Sequence, residues 1–216
     1  MNKYSVIAQG ENIVPKSRER CQEIREQTRS KILHESILYF AKNGFAGTKI
    51  SDLAKQIGIG QGTLYLYFKS KEDLFREISA FTNDRKDIKD LKMLTHLPLS
   101  AKKKIQKLSV KLVDQLRQDY VFAAKVALNT QIMLEQNNTF ASAETTYQSE
   151  LYQLTERMIQ QGQKEGSVIE GLPVKLADYY WGVVYLYALK RLYTTKYEII
   201  SDTDLARILL KDEALQ

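Results

Sequence analysis

The 216 residues carry 32 lysines and arginines against 26 aspartates and glutamates, a formal charge of +6, and 44% of them are apolar. That apolar share can bury a sizeable core, which argues against a wholly disordered chain. A lone cysteine, Cys21, excludes an intrachain disulfide and a CxxC metal knuckle. MNKYSVIAQGENIVPK lacks the apolar core of a secretory signal, and no run nears the roughly 18 apolar residues of a membrane span. A cytoplasmic protein with no membrane partner is expected.

The charge is uneven. Residues 1–72 hold 12 of the basic residues and 7 of the acidic ones, leaving 20 against 19 for the remainder. Such asymmetry predicts an N-terminal surface that meets a polyanion, a plain solvated basic face being the alternative.

In chain order, the run 17–43 has no breaker, and Ile32, Leu33, Ile37, Phe40 and Ala41 trace an apolar stripe before Gly44 ends the helix. Arg18, Arg20, Arg25 and Arg29 make its first part polar, an exposed extension. Thr48 is a candidate N-cap for a short amphipathic helix with Ile50, Leu53, Ala54 and Ile57 at i, i+3, i+4 and i+7. Gly58-Ile59-Gly60 supplies a tight turn, and a second short helix follows over 61–68. Ser70 with Asp73 forms a capping box that opens a helix over 71–92. Further helices are predicted over 101–118, 119–135, 143–165, 174–195 and 203–214, and alternating strand patterns are nearly absent. The fold class is all-α. Residues 1–25 form an extension, 26–75 a three-helix DNA-binding unit, and 76–216 a larger helical part.

Two short helices joined by a glycine turn make a helix-turn-helix, whose second helix can enter a DNA major groove. Gly62 removes a side chain where the backbone must approach DNA closely. Gln61 and Thr63 offer groups to base edges, Leu66 can touch a thymine methyl, and Tyr65 can face DNA or the core. Tyr67 and Lys71 suit backbone phosphates. His34 and His96 lie far apart without metal-ligand spacing, and no phosphate loop or activated nucleophile can be assembled. Neither an enzyme nor a metal or cofactor is expected.

The stretch RSKILHESILYFAKNGFAGTKISDLAKQIGIGQGTLYLYFKSKEDLF, residues 29–75, resembles the DNA-binding domain of the tetracycline-repressor (TetR) family of bacterial transcription regulators. The elements that carry the resemblance are F-A-x-x-G-F from Phe40, I-x-x-L-A-x-x-x-G-I from Ile50, G-T-L-Y-x-Y-F from Gly62 and K-x-K-E-x-L-F from Lys69. It implies base contacts from Gln61, Gly62, Thr63 and Leu66, and phosphate contacts from Thr48, Tyr67 and Lys71. Gly60 departs from a common capping serine, and Leu66 from an often polar residue.

The resemblance also implies a regulator, commonly a repressor, that binds a palindromic double-stranded operator as a homodimer and releases it when a small hydrophobic or aromatic effector binds the C-terminal part. Residues 158–184 resemble the segment joining the two dimer-forming helices. The dimer candidates are Tyr147, Leu151, Leu154, Met158, Trp181 and Val184, with closure of the monomer core as the alternative. Tyr120, Phe122, Tyr180 and Trp181, with Tyr179, Tyr185 and Tyr187, are candidates to line an effector cavity, and Glu135 to neutralise a cationic ligand; core packing accounts for them equally well. A different role for the same fold is a co-activator or DNA-bound recruiter of another protein, without an effector.

Overall fold

A computed structural model describes residues 18–82, 85–134 and 149–212. These residues form ten helices and no strand among the described residues, apart from an isolated antiparallel bridge between Val168 and Leu210. The first helix, α1 (Arg18–Gly47), breaks at Gly44, whose φ of 68° lies in the left-handed region. Then follow α2 (Ile50–Ile57), α3 (Gln61–Tyr67) and α4 (Lys71–Thr82). The helix expected over 71–92 is found as α4 and a second helix, α5 (Arg85–His96). The larger part comprises α6 (Ala101–Gln118), α7 (Tyr120–Leu134), α8 (Glu150–Lys164), α9 (Pro173–Tyr193) and α10 (Asp202–Arg207).

The last helix is shorter than the expected 203–214. A turn after Arg207 swings the chain back so that the Ile169 amide donates to the Leu209 carbonyl (2.9 Å) and the Lys211 amide to that of Ser167 (3.0 Å). Those bonds satisfy backbone groups that a longer helix would have paired internally.

Two clusters of buried side chains hold the chain together. Ile32, Ile37 and Phe40 of α1 meet Leu53 and Ala54 of α2, Leu64 of α3 and Leu74, Phe75 and Ile78 of α4. Phe40 packs edgewise on Phe75 and Phe45 packs tilted against it, at 5.1 and 4.9 Å between ring centres. This first cluster also takes in Ala124, Ala127 and Leu128 of α7 and Leu192 of α9. The alanines of α7 let its backbone come close to α1, so the N-terminal helices rest directly on the larger part.

The second cluster joins α6, α7, α8, α9 and α10, and it corrects part of the expected dimer seam. Leu154, Met158 and Val184 are only 2, 1 and 0% exposed and close the core of the single chain. Leu151 and Trp181 are half-buried beside them, and the Trp181 indole N–H donates to Thr155 Oγ1 at 3.0 Å. A tyrosine at 147 and a glutamate at 135, expected in the interface and the effector site, lie outside the described residues.

Candidate nucleic-acid interface

The turn between α2 and α3 is built from its caps. Gly58 stands in the left-handed region (φ 80°), its amide donates to Lys55 O, and the Ile59 amide donates to Ala54 O at 3.0 Å. This is the Schellman pattern, which satisfies the last carbonyls of α2 and turns the chain sharply. Gly60 was expected to share the bend, but its φ of −68° is open to any residue, so Gly58 alone requires glycine. Leu64 and Phe68 anchor α3 from behind, at 0 and 1% exposure.

The opposite face of α3 is open. Gln61, Gly62, Tyr65 and Leu66 are exposed, and Leu66, at 75%, is the most exposed of the large apolar side chains described. Thr63 and Tyr67 are half-buried at the margin. Tyr65, for which sequence left both faces open, thus lies on the outer one. A Cβ built on Gly62 would meet nothing within 4 Å. Packing gives no reason for a glycine there, although glycine inside a helix costs about 1 kcal/mol relative to alanine.

Two expected phosphate ligands are held elsewhere. Thr48 is 2% exposed and not the N-cap; Lys49 holds that position, and the Thr48 hydroxyl donates back to the Gly44 carbonyl at 2.7 Å. It satisfies a carbonyl left without a helical partner by the break at Gly44. The Lys71 ammonium donates to Phe45 O (2.9 Å) and Thr48 O (3.1 Å) and sits 4.3 Å from the centre of the Phe45 ring. Both residues therefore fix the corner where α1, α2 and α4 meet, and they position α3 rather than presenting free groups. The capping box at the start of α4 forms as expected, the Ser70 hydroxyl accepting from the Asp73 amide and the Asp73 carboxylate from the Lys69 amide.

The effector candidates do not converge on one site. Phe122 and Tyr180 are buried in the second cluster with Trp181 against it, and Tyr180 shares a buried hydrogen bond with Ser109 Oγ (2.9 Å). Burial raises the Tyr180 phenol above its ordinary range, with the Ser109 bond pulling weakly the other way. Tyr120 instead lies against the first cluster, with Lys42 and Arg191 over its ring and its hydroxyl near Leu192 O.

Sequence reasoning missed one surface. Leu172, the N-cap of α9, and Tyr179, Leu186 and Tyr193 within it recur every seven residues, and all four are exposed, from 47 to 64%. Their spacing is the repeat of a helix that packs against another helix. The signal was present in the sequence, but the helix is apolar on nearly every side, so its outer stripe could not be told from its inner one.

Residues 32–78 match the family model for bacterial regulatory proteins of the tetR family. The chain is 31% identical over 153 residues to the fatty acid metabolism regulator protein of Bacillus subtilis, covering 68% of this chain and 73% of that protein. It is 39% identical to the transcriptional regulator AcrR of Shigella flexneri over 53 residues, 24% of this chain and 25% of AcrR. Among solved structures, AibR in complex with isovaleryl coenzyme A and operator DNA superposes with a TM-score of 0.61 at 15% identity, over 83% of this chain and 94% of that one. A gamma-butyrolactone receptor superposes equally well at 17% identity, over 88% and 92%. At these identities the two structures speak for a shared fold.

Proposed function

The chain belongs to the TetR family of bacterial regulatory proteins, and from that we propose a repressor that binds a palindromic operator as a two-fold dimer and is released by an effector with an apolar portion. The observation that carries the DNA reading is the outer face of α3, where a glycine without a packing reason lies beside exposed Gln61, Tyr65 and Leu66. A backbone stripped of its Cβ can approach base edges closely, and the flanking side chains can read them. Gln61, Gly62, Thr63 and Leu66 are assigned to bases, and Tyr65 and Tyr67 to the walls of the groove.

One helix-turn-helix spans few base pairs, so specificity requires a second copy. The exposed stripe Leu172, Tyr179, Leu186 and Tyr193 supports α9 as the contact between copies. In this reading residues 26–75 bind DNA and 76–216 carry the effector and dimer surfaces.

The Bacillus subtilis relative regulates fatty acid metabolism, and AibR was solved with an acyl coenzyme A. Acyl thioesters are therefore the first effector class to test. An effector releases DNA only if it binds the DNA-incompetent arrangement more tightly, so its action is a measurable shift in operator affinity. Footprinting on the chromosomal DNA around the protein's own gene, with and without acyl coenzyme A of graded chain length, tests this. Protection that disappears at one range of chain lengths supports the reading. Protection indifferent to every acyl thioester but dependent on a second protein would favour the recruiter role.

A further inference from the structure

We propose that the first three turns of α1 form a second DNA-binding surface, through which Arg18 and Arg25 bind the phosphate backbone flanking the sequence read by α3. The inference rests on the DNA reading above and extends it to a site outside the helix-turn-helix.

Residues 18–27 are helical yet exposed throughout, and burial begins only at Thr28 and Arg29. A helix that buries nothing is not maintained by packing, and three of its arginines fall in line. Arg18, Arg25 and Arg29 stand at i, i+7 and i+11, which places them along one line of the helix surface. Glu19, Glu23 and Glu26, at i, i+4 and i+7, line a different face, which Arg20 shares. The basic line therefore presents positive charge in one direction, although the segment as a whole mixes both signs.

The base of this helix is tied to the DNA-reading unit at two points. Arg29 pairs with Glu77 and lies over the Phe68 ring, 5.2 Å from its centre, at the end of α3. Lys31 Nζ donates to the carbonyl of Ile57, the last residue of α2 before the turn that presents the start of α3. The extension thus springs from the helix-turn-helix itself, its base held by the residue that closes α3 and by the last residue of α2. Its eleven residues, 18–28, reach about 16 Å at 1.5 Å each, some five base pairs of duplex. Phosphates spaced along a strand are the polyanion that such a line of guanidinium groups fits, and phosphate contacts position without reading sequence.

The probe is the duplex the parent protein selects from a random pool, prepared ending at the selected sequence and again with ten additional base pairs on each side. Arg18→Gln/Arg25→Gln is compared with the parent and with Glu23→Gln, from the opposite face. On the long duplex the double variant should lose affinity and show a shallower dependence of log K on log salt, by about 0.9 for each phosphate no longer bound, hence up to about 3.6 for a dimer. On the short duplex it should match the parent, and Glu23→Gln should leave the slope unchanged on both. Equal slopes for parent and double variant on the long duplex overturn the proposal while leaving the regulator reading intact. Equal losses on both lengths also overturn it, since the arginines then act inside the main contact. A parent protein that selects no duplex sinks the regulator reading itself.

Discussion

The hydroxyl of Tyr193, at the end of α9, donates to the carbonyl of Ala41 in α1 at 2.9 Å, and it also lies 3.0 Å from the carbonyl of Lys42. These carbonyls belong to the last turn before the kink at Gly44. Gln131 of α7 adds a weaker bond to Ala41 O, at 3.3 Å. The N-terminal helices are thus capped by the part of the molecule that would carry the effector. Tyr193→Phe should lower stability by about 1 kcal/mol, seen as a fall of about 2–4 °C in Tm. It should also alter operator affinity without touching α3. An unchanged melting curve would mean that the cap contributes nothing.

Gly62 separates folding from function. With open space around its missing Cβ, Gly62→Ala should stabilise the fold by up to about 1 kcal/mol in thermal or urea unfolding. The same methyl would stand between the helix and the DNA, so operator affinity should fall at least tenfold in a binding titration. Gain in both quantities would remove the close-approach argument.

Leu66, exposed and apolar, is matched to a thymine methyl. Leu66→Ala should leave Tm unchanged yet weaken operator binding. Replacing the facing thymine by uracil should cost the parent about fourfold, the worth of about one buried methyl group. The uracil substitution should cost Leu66→Ala almost nothing. Independent, additive losses in that cycle would separate the leucine from the base.

The buried pair Ser109 and Tyr180 predicts an alkaline limit. Unfolded, the phenol ionises near pH 10, whereas burial holds the folded phenol protonated to higher pH. Stability from this group is complete below about pH 10 and declines above it, by up to about 1.4 kcal/mol per pH unit, as the unfolded chain sheds a proton that the folded chain keeps. Tyr180→Phe should be less stable at neutral pH, because Ser109 loses its partner, but its Tm should fall less steeply between about pH 10 and 11. Parallel curves would contradict the assignment.

Residues 29–75 were legible because local rules agree there: a 3.6-residue apolar period marks α1 and α2, a glycine turn leads into α3, and a capping box opens α4. Thr48 is not the expected N-cap, and its bond and those of Lys71 within the chain depend on the break at Gly44, which leaves carbonyls that only tertiary structure shows to be within reach. Leu154 and Met158 follow a heptad just as an interface would, and sequence periodicity does not tell a neighbouring helix in the same chain from one in a second copy. Tyr120 and Phe122, two residues apart near the start of α7, face different clusters, which separates an aromatic grouping that looked continuous in the sequence.

The central claim is that α3, doubled by a two-fold partner, reads DNA. Selection of bound duplexes from a random pool, with the mass of the complex measured in solution, tests it most directly. The account predicts an inverted repeat whose half-sites fall on one face of the helix, bound by an even number of chains. Absence of any enriched sequence, or a single unsymmetric site held by one chain, would contradict it.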